Sequence, residues 1–298
     1  MKSSLAVRHK GFTLVELAVV MFVVALMLAG ALIPLTTQME VRSIAETRRI
    51  MDQINESLIG FAQTNGRLPC PASGAVATGT ANAGTEQYTS PSCTALVGVI
   101  PWSTLGVPET DAWGRRFTYR VASVFADDIV SNTTQTTAPA SQTTNGINCT
   151  APTPTPSLSS FALCSLGEIA VLTRSINAAG VHSTSALGTG LPAVFISHGR
   201  NGNGGYQTSG IQKTFTNNTD EATNASGTPA GSPGSPTGAP GSGYNFASFL
   251  FYSRLQTPSA TGCSEITTGS VFCEFDDIVY MITAPMLVSR MVSAGRLP

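Results

Sequence analysis

Charge is scarce in this chain: only 11% of its 298 residues are Asp, Glu, Lys or Arg, against about 25% in average soluble domains. The 16 basic side chains form no cluster, so nothing indicates a nucleic-acid surface, which needs grouped Lys and Arg. Histidine is scarcer still, with three residues, and His9 lies among the first eleven. His182 and His198 stand in Gly- or Ser-rich, surface-like surroundings. His198 precedes Gly199-Arg200-Asn201-Gly202, where a catalytic residue can sit, but it reads more simply as a turn residue at a strand end. Gly-x-Ser-x-Gly, His-Glu-x-x-His and phosphate-cradling patterns are all missing. Without a converging nucleophile, base and electrophile, no catalytic residue is assigned and no enzyme is expected. Cys-x-x-Cys is absent too, which removes the usual zinc spacing. Asp276-Asp277 with Glu274, and Asp127-Asp128, offer oxygen ligands, yet neither has the spacing of a helix-loop-helix calcium loop. They read as solvated turn residues, and neither metal nor cofactor is expected.

What the chain does have is a short basic leader and a long apolar run. Lys2, Arg8 and Lys10 precede Gly11-Phe12-Thr13-Leu14-Val15-Glu16, and Leu17 to Leu35 is almost uninterruptedly apolar. That length approaches the roughly 20 residues that span a bilayer. A carboxylate at the edge of such a run calls for a partner, because charge deeper inside costs about 2.5–3.5 kcal/mol on insertion scales. The basic leader should stay cytoplasmic while the remainder crosses. An ordinary secretory signal, cut near Ala29-Gly30-Ala31, and a plain single-pass anchor are the competing readings.

Leader, glycine, phenylalanine, glutamate and apolar run together resemble the processing site of type IV prepilins and type II secretion pseudopilins. The resemblance implies cleavage by a prepilin peptidase between Gly11 and Phe12, followed by N-methylation of Phe12. It implies that Glu16 serves assembly, pairing with the Phe12 amine of an adjoining subunit. The implied partners are other pilin or pseudopilin subunits, the prepilin peptidase/methyltransferase, an inner-membrane assembly platform and inner-membrane lipid. The implied location is a single pass through the inner membrane, with the C-terminal domain periplasmic or in the filament. Removing residues 1–11 takes away Lys2, Arg8 and Lys10, leaving 13 basic against 17 acidic side chains, a net charge of −4. The function so implied is a structural subunit, a minor pilin or pseudopilin. The rival is a tethered or secreted periplasmic enzyme or binding domain that uses this N-terminus only for export.

Helical patterning continues past the membrane-length run. Ile44, Met51, Ile54, Leu58 and Phe61 recur on one face, and Asn65-Gly66 followed by Pro69 is a stop signal. Residues 12–35 are expected as a transmembrane helix and 36–65 as its amphipathic continuation. Pro34 should kink or locally melt it. Residues 66–298 form the expected exported domain. There, 116–121, 169–172, 193–196, 271–275 and 278–282 read as strands, and 286–294 as a short helix. Loops are expected at 72–92, 131–160 and 217–243, the last too poor in apolar residues to order itself. All six cysteines, Cys70, Cys93, Cys149, Cys164, Cys263 and Cys273, lie beyond the apolar run, in an oxidising compartment if exported. Six cysteines allow 15 pairings. Pairing of sequence neighbours is expected: Cys70–Cys93, Cys149–Cys164 and Cys263–Cys273. The fold class is α+β, a long N-terminal helix packed on an antiparallel sheet with disulfide-tied loops. This is also the pilin-like fold to which the resemblance points. Asp111-Ala112-Trp113-Gly114 looks like the Asp-Pro-Trp-Gly region of pseudopilins, with alanine in place of proline.

Overall fold

The computed structural model describes residues 13–90, 92–126, 143–144, 147–148, 159–161, 163, 165, 167–215, 219–226, 228–229 and 249–297, with side chains at 28–37, 143–144, 147–148, 226 and 228–229 outside the description. The chain divides into two compact units, 1–45 and 46–298. Helix α1 (Leu14–Asn65) contributes to both. In the first unit its apolar side chains from Leu14 to Met27 are exposed, Leu14 at 86%. Among the described residues no helix is long and apolar enough to cross a membrane. The expected span at 12–35 falls partly on residues outside the description. The same holds for the side chain of Pro34, although α1 is assigned as helix across that position.

The second unit runs in the order β1 (Tyr88–Thr89), β2 (Ser92–Cys93), β3 (Val97–Val99), α2 (Trp102–Leu105), β4 (Arg115–Arg116), β5 (Thr118–Val121), α3 (Ser123–Ala126), β6 (Thr143–Thr144) and β7 (Ile147–Asn148). It continues with β8 (Ile169–Ile176), β9 (His182–Leu191), β10 (Ala193–Ser197), β11 (Tyr206–Gln207), α4 (Asp220–Ser226), β12 (Thr228–Pro229), β13 (Phe249–Tyr252), β14 (Ile278–Ile282) and α5 (Ala284–Ser293). One sheet has the order β14-β10-β5-β3 and is antiparallel throughout. Its central strand β10, Ala-Val-Phe-Ile-Ser, is buried at every position, as a run of β-branched and aromatic residues covered on both faces should be. Met51, Ile54, Leu58 and Ala62 of α1 share one core with Phe117, Tyr119, Val121, Phe195, Ile282 and Leu287. The 3.6-residue periodicity is realised, with Ala62 rather than Phe61 completing the buried stripe.

Several expectations need correction. The second four-stranded sheet, β12-β13-β8-β9, is mixed, because β13 runs parallel to β8. The long stretch between them makes the crossover that a parallel pair requires. Residues 271–275 are not a strand: Phe275 makes one isolated bridge to Thr257. The Cys263–Cys273 disulfide closes this segment, and Arg254 Nη2 and Thr257 Oγ1 both donate to the Cys273 carbonyl. The loop expected at 72–92 is tied as anticipated, by the Cys70–Cys93 disulfide, and Arg67 pairs with Glu86 within it. The expected Cys149–Cys164 bridge lies outside the described residues. Finally, the expected disorder of 217–243 fails at α4. That helix is poor in apolar residues, but Asp220 takes hydrogen bonds from Arg174 Nε at 2.8 Å and Arg254 Nε at 2.9 Å. Asn224 brackets the backbone of Tyr252, accepting from its N–H at 2.7 Å and donating to its carbonyl at 2.9 Å. Satisfied buried polar networks of this kind can order a segment that hydrophobic burial alone would not. Most of the remainder of 217–243 lies outside the described residues.

Candidate functional site

The start of α1 is a capping box. Glu16 N donates to Thr13 Oγ1 at 3.3 Å, while Thr13 N and Thr13 Oγ1 each donate to Glu16 Oε2 at 3.2 Å. Threonine at the N-cap and glutamate three residues on satisfy each other's neighbouring N–H groups, and the carboxylate lies at the positive end of the helix dipole. Thr13-x-x-Glu16 was available in the sequence. It sets Glu16 in the start of its own helix as well as at the edge of the apolar run. Gly11 and Phe12 lie outside the described residues.

A second arrangement lies at the C-terminal end of β10, far from the apolar run in sequence. His198, expected at a surface turn, is wholly buried. Its Nε2 lies 2.7 Å from Thr118 Oγ1, and its Nδ1 lies 3.4 Å from Asp277 Oδ1. Asp276 and Asp277, expected as solvated turn residues, lie close to Glu221 of α4, the three carboxylates within 4.8 Å of one another. Asn201 Nδ2 and Asn203 Nδ2 donate to the two oxygens of Glu221, and Asp276 N donates to its Oε1. The loop that follows β10 can come this close only with glycine. Gly199 has φ of +53°, and a Cβ there would sit 2.5 Å from Asp276 Oδ1. Glu221 was not singled out in the sequence, and nothing local could have found it, since its partners arrive from loops some 20 and 55 residues away.

Burial dominates the electrostatics. Desolvation, with the charge of Asp277 adding to it, pushes Asp276 up to about 6 and Glu221 up to about 7. Burial also raises Asp111 and Glu265. For His198 burial pulls downward, but the carboxylates of Asp277, Asp111 and Glu221 more than reverse it, so the imidazole titrates above its ordinary value. Each of these groups holds its proton more tightly when folded than when unfolded. Their protons therefore stabilise the fold at low pH, and that contribution is lost as pH rises through about 6 for Asp276 and about 7 for Glu221. In metal-free buffer the melting temperature is expected to fall between pH 5 and pH 8. A flat or rising profile over that range would contradict the burial of these groups.

Asp111 anchors the turn that feeds β4. Its Oδ1 accepts from Trp113 N and Arg115 N, both at 2.9 Å, and its Oδ2 accepts from Ser197 Oγ at 2.6 Å. Ala112 N donates to Thr47 Oγ1 on α1 at 3.2 Å. Proline would have no N–H to give here, so alanine at 112 allows a tether between this turn and the helix.

Residues 7–32 match the family model of the prokaryotic N-terminal methylation motif, and the chain thus carries the prepilin-type signal of type IV pilins and pseudopilins. That signal implies processing by prepilin peptidase and assembly with other pilins. No curated protein and no solved structure matches the chain. The matched segment contains Gly11, Phe12 and Glu16.

Proposed function

We propose that the protein is a structural subunit, a minor pilin or pseudopilin of a type IV pilus or a type II secretion pseudopilus, and that its work is not catalytic. The observation that carries this reading is the methylation motif at 7–32, with Glu16 placed at the first turn of α1. Peptidase cleavage after Gly11 removes the cytoplasmic positive charges and exposes an amine at Phe12. In lipid that amine sits at the positive end of the helix dipole, where it is doubly unfavourable. The carboxylate of Glu16 on an adjoining subunit neutralises it and sets the stagger between neighbours. Pairing in low dielectric contributes specificity more than net stability, because both groups must be desolvated. The apolar run then anchors the unassembled subunit in the inner membrane, and residues 66–298 occupy the periplasm or the filament. The size of that domain, beyond that of a typical major pilin, supports a minor rather than a bulk role.

N-terminal sequencing and intact mass of the native protein test the reading. Methylated Phe12 is the expected start. A mature chain beginning at Leu32 would mean a released soluble domain, and one beginning at Met1 a simple anchor. Gly11→Val is expected to block processing, because a branched side chain beside the scissile bond cannot enter a cleft that accommodates glycine. The variant should retain the mass of the uncut precursor, and normal cleavage would refute that role for Gly11.

A further inference from the structure

Arginine supplies almost all of the positive charge beyond residue 11: of the basic side chains there, Lys213 alone is a lysine. Lysine, unlike arginine, can give up its proton and act as a nucleophile. Lys213 is laddered to the loop that follows β10, its N–H donating to the Gly205 carbonyl at 2.9 Å and its carbonyl accepting from Gly204 N at 3.2 Å. Its Nζ, partly buried, donates to the main-chain carbonyl of Asn201. The side-chain amide of Asn201 is held at both of its polar atoms. Oδ1 accepts from Asn203 N at 2.9 Å, and Nδ2 donates to Glu221 Oε1 at 2.8 Å. A backbone N–H on the amide oxygen polarises the carbon between them, and a carboxyl group on the amide nitrogen can protonate it as it leaves. Nucleophile, electrophile, oxyanion donor and proton carrier thus meet at one residue.

We propose that Lys213 and Asn201 join in an intramolecular isopeptide bond, formed by the chain on itself with Glu221 as proton carrier. Lys213 first yields one proton to water. Its neutral amine then turns from the main-chain oxygen of Asn201 to the side-chain Cγ, and the Nζ–Cγ bond forms. The negative charge that develops on Oδ1 is met by Asn203 N. Glu221 takes a proton from the attacking nitrogen and gives one to Nδ2, the Cγ–Nδ2 bond breaks, and ammonia leaves. The carboxyl group ends as it began, ammonia takes up the proton that Lys213 lost, and no oxidant or energy source is consumed. Burial raises Glu221 to about 7, which suits a group that must both accept and donate a proton near neutrality. Asn203 Nδ2 donates to its other oxygen at 3.0 Å and keeps the carboxyl group oriented. The product closes a covalent ring from 201 to 213 around β11, and unlike a disulfide it withstands reduction. This inference does not depend on the pilus reading.

The test is mass spectrometry of the full chain, purified in detergent, denatured and digested with trypsin. Trypsin cuts after arginine and free lysine but not after an acylated lysine, and Arg200, Lys213 and Arg254 are consecutive basic residues. The wild type should therefore yield residues 201–254 as one peptide, about 17 Da below its sequence mass for the ammonia lost. Lys213→Arg keeps the positive charge but cannot form the bond, and should yield 201–213 at its sequence mass. Glu221→Gln keeps the shape of the side chain but cannot carry the proton, and should also yield 201–213. Its melting transition, recorded alongside, establishes that it folds. Recovery of unmodified 201–213 from the wild type overturns the proposal, as does a link that persists in folded Glu221→Gln.

Discussion

Glu16→Gln is expected to be cleaved like the wild type yet to enter a filament at least about tenfold less. The magnitude follows from charge: breaking one side of a desolvated ion pair costs about 3–5 kcal/mol, and each 1.4 kcal/mol is tenfold. Glutamine is the informative substitution because of the capping box. Its side-chain carbonyl can still accept from Thr13 N, as Glu16 Oε2 does at 3.2 Å, and glutamine serves at this position of a capping box as well as glutamate. The helix start is therefore preserved while the charge is lost. Glu16→Ala removes both, adding a capping loss of about 1 kcal/mol. Comparing sheared fibres with the membrane fraction by immunoblot separates the two roles. If glutamine assembles normally and alanine does not, the carboxylate acts as a cap within its own subunit and the pairing between subunits falls.

The parts of this molecule that could be read from sequence are those whose pattern is local. The face of Met51, Ile54 and Leu58 followed from helical spacing, and these residues are buried in the core. The runs at 169–172, 193–196 and 278–282 were visible as short β-branched and aromatic stretches, and each is a strand or part of one, whereas 116–121 is split between the end of β4 and β5, which pair in different sheets. Pairing of neighbouring cysteines holds for Cys70–Cys93 and Cys263–Cys273. What escaped was assembled across the chain. His198 looks like a turn residue in the sequence because Gly, Asn and Ser surround it, and the two aspartates because acidic pairs usually sit in solvated turns; in the fold α4 brings Glu221 beside them. The segment 271–275 has strand-like residues, but its backbone pairing at Thr257 and Phe275 is a single bridge. Composition misjudged 220–226 for a related reason. Disorder was inferred from too little apolar surface, and the arginines that hold Asp220 lie on β8 and just beyond β13. Charge is sparse in this chain, and much of it is spent inside, in pairs that only the tertiary structure brings together.

The largest loss of stability is expected at one of those interior charges. Arg116→Met should cost about 3–5 kcal/mol, the range for removing one member of a buried pair. The guanidinium is entirely buried and uses every edge of its fork. Nε donates to Glu109 Oε1 at 2.9 Å, and Nη1 donates to the carbonyls of Gly74 and Val76, both at 2.8 Å. Nη2 donates to Thr78 Oγ1 at 3.0 Å and to the Thr208 carbonyl at 3.1 Å, and the plane lies 4.5 Å from the centre of the Trp102 ring. One side chain on β4 thus holds the 74–78 stretch, the 208 turn and α2 together. Methionine matches the volume but leaves Glu109 and the carbonyls without their donor. Lysine restores the charge but not the planar fork, and should recover less than half of the loss. Urea denaturation reports the cost, and limited proteolysis reports its place: cleavage should appear first within 72–90. Should Arg116→Met unfold at the wild-type midpoint, with that stretch still protected, the turns would be held by the Cys70–Cys93 bridge and the Arg67–Glu86 pair without the buried guanidinium.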